Sequence, residues 1–177
     1  MRPNEKVREI AKKIKLLILD VDGVLTDGGI YFDDTGVEQK KFDSQDGLGI
    51  KLLQLSGIEV AVITARSTKS VAHRLKGLGV EHYYHGILDK SIALEKLIKK
   101  LSIDLSESAY VGDDVIDLPV MTRVALPIAV ANAQESVKDH ALMVTEKSGG
   151  NGAVREVCNF LLKSQDKYDA LVKSFLK

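Results

Sequence analysis

Leu16-Leu17-Ile18-Leu19-Asp20-Val21-Asp22-Gly23-Val24-Leu25-Thr26 is the stretch that decides the fold. Four large apolar residues in a row show no alternation, so they suit a strand covered on both faces, as in a parallel sheet under helices. The two carboxylates that close the run then stand at the strand's carboxyl end, where open α/β sheets bind ligands. Residues i and i+2 of an extended segment share a face. A chain leaving the sheet at Gly23 can turn one carboxylate toward a ligand while the backbone carbonyl of the other faces a cation. One short motif therefore offers a nucleophile, an acid/base and a metal site.

Outward from it, apolar runs of strand length recur at residues 58–63, 80–84, 109–111, 124–130 and 141–144. Most are separated by segments of helical spacing such as 91–101. The alternation predicts an α/β fold, a Rossmann-like three-layer arrangement with helices on both faces of a parallel sheet. Polar residues follow the strands in order: Asp20 and Asp22, Thr64, Lys90, then Asp113, Asp114 and Asp117. They should converge at one sheet edge. Two regions depart from the pattern. Residues 28–42 carry two short β-like runs around Asp33-Asp34-Thr35-Gly36 and read as a hairpin flap over the strand ends. Beyond the turn Ser148-Gly149-Gly150-Asn151-Gly152, a helical tail over 153–177 bears an apolar stripe.

At 177 residues, 45% apolar and 28% charged, the chain is expected to form one soluble domain over 1–177. Lys+Arg and Asp+Glu both number 25, leaving no net field for nucleic acid or an anionic membrane. The lone Cys158 excludes an internal disulfide and a thiolate metal cluster, and reads as a small core residue. No signal-like segment opens the sequence, so a cytoplasmic location is expected. His82 and His85 flank Tyr83 and Tyr84 at a strand end without ligand-spaced partners, and read as structural or surface residues.

Hard oxygen ligands from the Asp20 carboxylate, the Asp22 backbone carbonyl and the Asp113 carboxylate suit Mg²⁺. With a phosphate monoester in the crevice, Asp20 would attack phosphorus, and Asp22 would protonate the departing alkoxide and then activate water. Thr64 would hold phosphoryl oxygens, Lys90 would supply charge where negative charge spreads, and Asp114 or Asp117 would orient metal waters or Lys90. Spacing leaves room only for the hairpin and one helix between Asp22 and Thr64, and for one helix and a strand between Lys90 and Gly112. No cap domain fits, so a neighbouring subunit, through its flap or C-terminal segment, is the expected cover of the site.

This ordered set resembles the haloacid dehalogenase superfamily of aspartate-nucleophile phosphohydrolases, capless type, whose four motifs match Asp20/Asp22, Thr64, Lys90 and Asp113/Asp117. From about residue 14 to 162 the resemblance is to its keto-sugar acid phosphatases. It runs through Thr26-Asp27-Gly28, residues 42–50, Ile63-Thr64-Ala65-Arg66, Tyr110-Val111-Gly112-Asp113-Asp114 and residues 152–158. It implies a cytoplasmic Mg²⁺ enzyme of lipopolysaccharide precursor synthesis, releasing inorganic phosphate and an eight-carbon keto acid and working as a homotetramer. It also implies substrate contacts at Asp22, Asp43, Ser44, Gln45, Asp46, Gly47, Lys51, Ala65, Arg66, Arg74 and Lys90, with Lys51, Arg66 and Arg74 as cations placed to meet a carboxylate. Asp43 and Gln45 stand where some relatives have a neutral and a basic residue, Lys51 often appears as arginine, and Asn151 replaces an arginine. These departures leave a nine-carbon keto acid phosphate open as substrate, although N–H groups of the glycine-rich loop could still bind an anion. A phosphoreceiver module or a non-catalytic assembly domain are the rivals from other classes. Against the receiver stands the order of the acids, since receivers place the acceptor alone on the third strand.

Overall fold

The computed structural model describes residues 4–176. A helix α1 (Glu5–Ala11) leads into β1 (Leu16–Leu19), whose four residues are all buried. A hairpin of β2 (Tyr31–Phe32) and β3 (Glu38–Gln39) follows, then α2 (Ser44–Leu55), β4 (Glu59–Ile63), α3 (Lys69–Leu78), β5 (His82–Tyr84) and α4 (Lys90–Leu101). The second half comprises β6 (Ser108–Gly112), α5 (Leu118–Met121), β7 (Leu126–Ala129), α6 (Glu135–Lys138), β8 (Met143–Val144), α7 (Ala153–Ser164) and α8 (Tyr168–Ser174).

Among the described residues, six strands form one sheet in the order β5-β4-β1-β6-β7-β8, every neighbouring pair parallel. The unbroken apolar run thus occupies a central strand, as its lack of alternation predicts. Connections run outward from β1 to β4 and β5 and then return past it to β6, so the strand order reverses beside β1, where such sheets open a crevice. Register completes the placement. Leu19 pairs with both Val62 and Val111, so Asp20, Thr64 and Asp113 leave the sheet at nearly one level.

Helices α1, α2 and α7 pack together, and α4 packs with α5. Close approach of α2 to α7 depends on Gly49: a Cβ there would meet the Arg155 and Cys158 side chains at 3.0–3.2 Å. Cys158 is buried, as expected, and burial pushes its thiol well above the usual range. His82 is nearly buried with its ring nitrogen 3.9 Å from Glu59, and His85 rests against Tyr83.

The flap is a hairpin, with Tyr31 opposite Gln39 and Phe32 opposite Glu38. Its turn is held by the Asp33 carboxylate, which accepts from the Thr35 and Val37 N–H groups at 2.9 and 3.0 Å. A bridge between Thr26 and Phe42 ties its base. The segment from Asp22 to Thr64 contains the hairpin and α2 beside its sheet strand, and that from Lys90 to Gly112 contains α4, a short 3₁₀ turn and β6, so no cap is inserted at either place. The tail divides at Asp166 (φ 56°) into α7 and α8; Leu161 and Leu162 are buried, whereas Val172, Phe175 and Leu176 are exposed. Helix α1 lies outside the sequence pattern. Gln165 holds it in place by donating to the Ala11 and Ile14 carbonyls, a contact made only after folding.

Candidate active site

A cleft of about 230 Å³ opens at the carboxyl ends of β1, β4 and β6, lined by Asp20, Asp22, Gly28, Thr64, Ala65, Arg66, Asp113, Asp114 and Ile116. Its floor is the end of β1. The Asp20 N–H continues the sheet by donating to the Val111 carbonyl, and its carboxylate is almost wholly buried. Gly23, at φ 81°, turns the chain out of the strand, and a Cβ there would lie 2.0 Å from Asp113 Oδ2, so glycine is required for Asp113 to reach β1. From behind, Gly149 presses on the same turn so closely that a Cβ would meet the Gly23 carbonyl oxygen. Asn132 locks the contact, donating to that oxygen at 3.4 Å and accepting from the Gly149 N–H at 2.7 Å.

Lys90, the first residue of α4, is completely buried, with Nζ 2.8 Å from Asp20 Oδ1 and 2.6 Å from Asp117 Oδ1. Asp117 is saturated: Oδ1 also accepts from the Tyr110 hydroxyl at 2.6 Å, and Oδ2 accepts from the Asp113 and Asp114 N–H groups at 2.9 and 3.3 Å. Oxygens of Asp20, Asp113 and Asp117 lie within 4.8 Å of one another. Because Asp117 has spent its lone pairs on four donors, it fixes Lys90 and the 113–114 backbone, leaving Asp20 and Asp113 as the carboxylates open to a cation. Asp114 sits on the exposed rim and caps the following turn through Val115 N–H.

Electrostatics give the cluster its need for a counter-charge. Burial first, then the charge of Asp117, pushes the Asp20 carboxyl up to about 7, against the pull of Lys90. Burial, then Asp20 and Asp117, pushes Asp113 up to about 8. Two displaced carboxyls with free oxygens, crowded beside a backbone turn that lacks a side chain, are the donor set a small divalent cation of Mg²⁺ type takes.

Above the floor, the half-buried Asp22 faces two cations. Lys40, whose side chain is inaccessible, contacts its Oδ1, and Arg66 Nε lies 3.7 Å from its Oδ2. Glu38 binds both cations, at 2.9 Å from Lys40 and 2.8 Å from Arg66 Nη2. Burial lowers the affinity of Lys40 for its proton, but Asp22 and Glu38 outweigh that, and its pKa is raised. Thr64 is buried beside them, its hydroxyl accepting from the Arg66 N–H at 3.3 Å.

Among the residues singled out in the sequence, Asp20, Asp22, Thr64, Ala65, Arg66, Asp113 and Asp114 line the cleft, and Lys90 and Asp117 stand directly behind it. The others lie elsewhere. Asp43 caps α2 through the Gln45 and Asp46 N–H groups, with Ser44 and Gln45 exposed beside it. Buried Asp46 accepts from the Arg155 N–H at 2.7 Å, and a Cβ on Gly47 would clash with Arg74. Arg74 donates to the Asp43 carbonyl at 3.2 Å and covers the Phe42 ring, while Lys51 is exposed on α2. The glycine-rich loop is not a free nest of donors: its Gly149 and Gly150 N–H groups are committed to Asn132 and the Val24 carbonyl, and Asn151 accepts from Lys41 at 3.1 Å. The expectation that N–H groups of this loop bind an anion therefore does not extend to Gly149 and Gly150.

Sequence reasoning passed over Tyr110, Asn132, Glu38 and Lys40. Tyr110 reads as one more apolar strand residue, and nothing near Asn132 in the chain marks its partner 109 positions away. Glu38 and Lys40 carried a usable signal, since opposite charges at i and i+2 of an extended segment share one face.

The family model for a haloacid dehalogenase-like hydrolase matches residues 84–157. The 3-deoxy-D-manno-octulosonate 8-phosphate phosphatase KdsC of Escherichia coli (strain K12) is 51% identical over 159 residues, covering 90% of this chain and 85% of that protein. The structure of the corresponding phosphatase from Moraxella catarrhalis, in complex with magnesium ion, phosphate ion and a KDO molecule, superposes with a TM-score of 0.94 at 46% identity, covering 96% and 98% of the two chains. That from Yersinia pestis gives 0.92 at 45% identity, covering 93% and 89%. The chain belongs to the haloacid dehalogenase-like hydrolases, within the family of 3-deoxy-D-manno-octulosonate 8-phosphate phosphatases.

Proposed function

We propose that this chain is a Mg²⁺-dependent phosphatase converting 3-deoxy-D-manno-octulosonate 8-phosphate to the free keto acid and inorganic phosphate through an aspartyl phosphate on Asp20. The observation that carries the reading is the buried Asp20 carboxylate, 2.8 Å from Lys90 at the floor of a cleft it shares with Asp22 and Asp113. Asp20 and Asp113, with the Asp22 backbone carbonyl, would hold the cation, which when bound offsets the charge of the carboxylates and of the incoming phosphate.

Asp20 then attacks phosphorus, the phosphorus–oxygen bond to the sugar breaks, and the departing oxygen takes the proton of Asp22. In the second step Asp22 accepts a proton from water as the water attacks phosphorus, and the Asp20 carboxylate is released. Thr64 steadies the phosphoryl oxygens, and Lys90, pinned by Asp117, meets the charge that spreads over them. Arg66 is the one cation among the described residues lining the cleft and is assigned to the substrate's carboxylate. A cleft of about 230 Å³ falls below the roughly 300–1,000 Å³ of pockets that enclose a small ligand, which supports a neighbouring subunit completing the walls; the assembly we assign, from the family resemblance, is a homotetramer. No helix among the described residues is long and apolar enough to cross a membrane, and we assign a single cytoplasmic domain acting in lipopolysaccharide precursor synthesis.

A panel of phosphate monoesters assayed with Mg²⁺ tests the reading. The eight-carbon keto acid phosphate is expected to give the highest kcat/KM, with the nine-carbon homologue below it. Preference for monoesters without a carboxylate would refute the assignment.

Metal linkage has a definite sign. In the metal-free protein Asp20 and Asp113, raised to about 7 and about 8, keep protons that carboxyls of the unfolded chain release near their ordinary value of 3.8. Their contribution to stability is therefore complete at acid pH and is lost as pH rises through those values. A bound cation replaces the protons. The metal-free Tm is expected to fall between about pH 6 and about pH 8.5, and the gain in Tm on adding Mg²⁺ to grow over the same interval. Thermal melts with and without Mg²⁺ check this, and an equal gain at both pH values would contradict it.

A further inference from the structure

Arg66 already has partners within the protein. Its Nη2 binds Glu38 Oε2 at 2.8 Å, a close charge-assisted contact, whereas its Nε lies 3.7 Å from Asp22. Glu38 comes from the hairpin and not from the sheet, and it closes a ring of alternating charge: Asp22, Lys40, Glu38, Arg66. A carboxylate entering the cleft meets Arg66 already occupied by a carboxylate. Glu38 has a second partner ready, because its other oxygen lies 2.9 Å from the inaccessible Lys40, so surrendering Arg66 leaves neither charge unpaired.

We propose that Glu38 is an internal stand-in for the substrate's carboxylate: it holds Arg66 and Lys40 around Asp22 and, when substrate binds, gives Arg66 up to the acid group of the sugar. The inference rests on the assignment of a keto acid phosphate as substrate, and it makes Glu38 a specificity-determining residue for that reaction. A monoester whose only anion is the phosphate seated over Asp20 brings no second acid group to Arg66 and gains less from the exchange. Binding of a carboxylated substrate is accordingly weakened by the competition that Glu38 offers.

Glu38→Gln keeps the size and one hydrogen-bonding oxygen but removes the competing charge. With 3-deoxy-D-manno-octulosonate 8-phosphate and p-nitrophenyl phosphate as a pair, the variant is expected to lower KM for the first relative to the second by about three- to tenfold. Calorimetric titration with the free keto acid should show affinity strengthened in the same proportion, a readout independent of turnover. Arg66→Met in the Glu38→Gln background should abolish the gain. Equal KM changes for both substrates, or weaker binding of the keto acid, would overturn the proposal and assign Glu38 to holding the hairpin. Failure of the unaltered enzyme to process any carboxylated sugar phosphate would instead overturn the substrate assignment, and the stand-in with it.

Discussion

Asp20→Asn is expected to reduce phosphate release by about 10⁴-fold or more while leaving the circular dichroism spectrum and cooperative melting intact. The loss is chemical and not structural. The amide matches the carboxylate in shape, can still accept from Lys90, and removes one of three crowded acids, but it cannot form a bond to phosphorus at a useful rate. Asp22→Asn separates the two steps. With p-nitrophenyl phosphate, whose leaving group departs without a proton, the first step proceeds and the second stalls, so mass spectrometry of the quenched protein should find a phosphoryl group on Asp20. An Asp20→Asn enzyme that turns over at the unaltered rate, or a phosphoryl group on another residue, would remove the nucleophile assignment.

The second large effect concerns Lys90. Lys90→Met should cost about 3–5 kcal/mol of stability, because Asp117 and Asp20 are left buried without their shared counter-charge. It should also lower kcat by about 10²- to 10³-fold through loss of charge facing the transferred phosphoryl group. The double variant Lys90→Met/Asp117→Asn distinguishes the two roles. An asparagine at 117 can accept from the Asp113 and Asp114 N–H groups while its amide donates to the Tyr110 hydroxyl, which can turn to accept. Stability should therefore largely return in denaturant titrations, and activity should not. A double variant no more stable than Lys90→Met would show that Asp117 is not the group left stranded.

These expectations rest on features with different origins. Residues 16–22 carry enough local information to place a buried central strand and the acids at its end, since an unalternating apolar run has few other uses in a chain of this length. The order of Thr64, Lys90 and Asp113 after later strands is equally local, because parallel strands joined by helices bring their carboxyl ends to one edge. That the segments from Asp22 to Thr64 and from Lys90 to Gly112 have no room for a cap could be read from spacing alone. By contrast, Arg74 and Lys51 carry the same charge as Arg66, yet Arg74 packs against Phe42 and the start of α2 while Lys51 points to solvent. Sequence position gives the charge of a side chain but not the direction in which its helix turns it.

The sequence by itself determined the sheet, the converging acids and the hairpin, because each follows from backbone periodicity or from residues adjacent in the chain. Only the tertiary structure decided that Asp117 is saturated by Tyr110, Lys90 and two N–H groups, that Asn132 and Gly149 brace Gly23 from behind, and that Glu38 occupies Arg66. Those contacts join segments distant in the chain, and hydrogen-bond geometry over a few ångströms is fixed by packing and leaves no periodic trace in the order of residues.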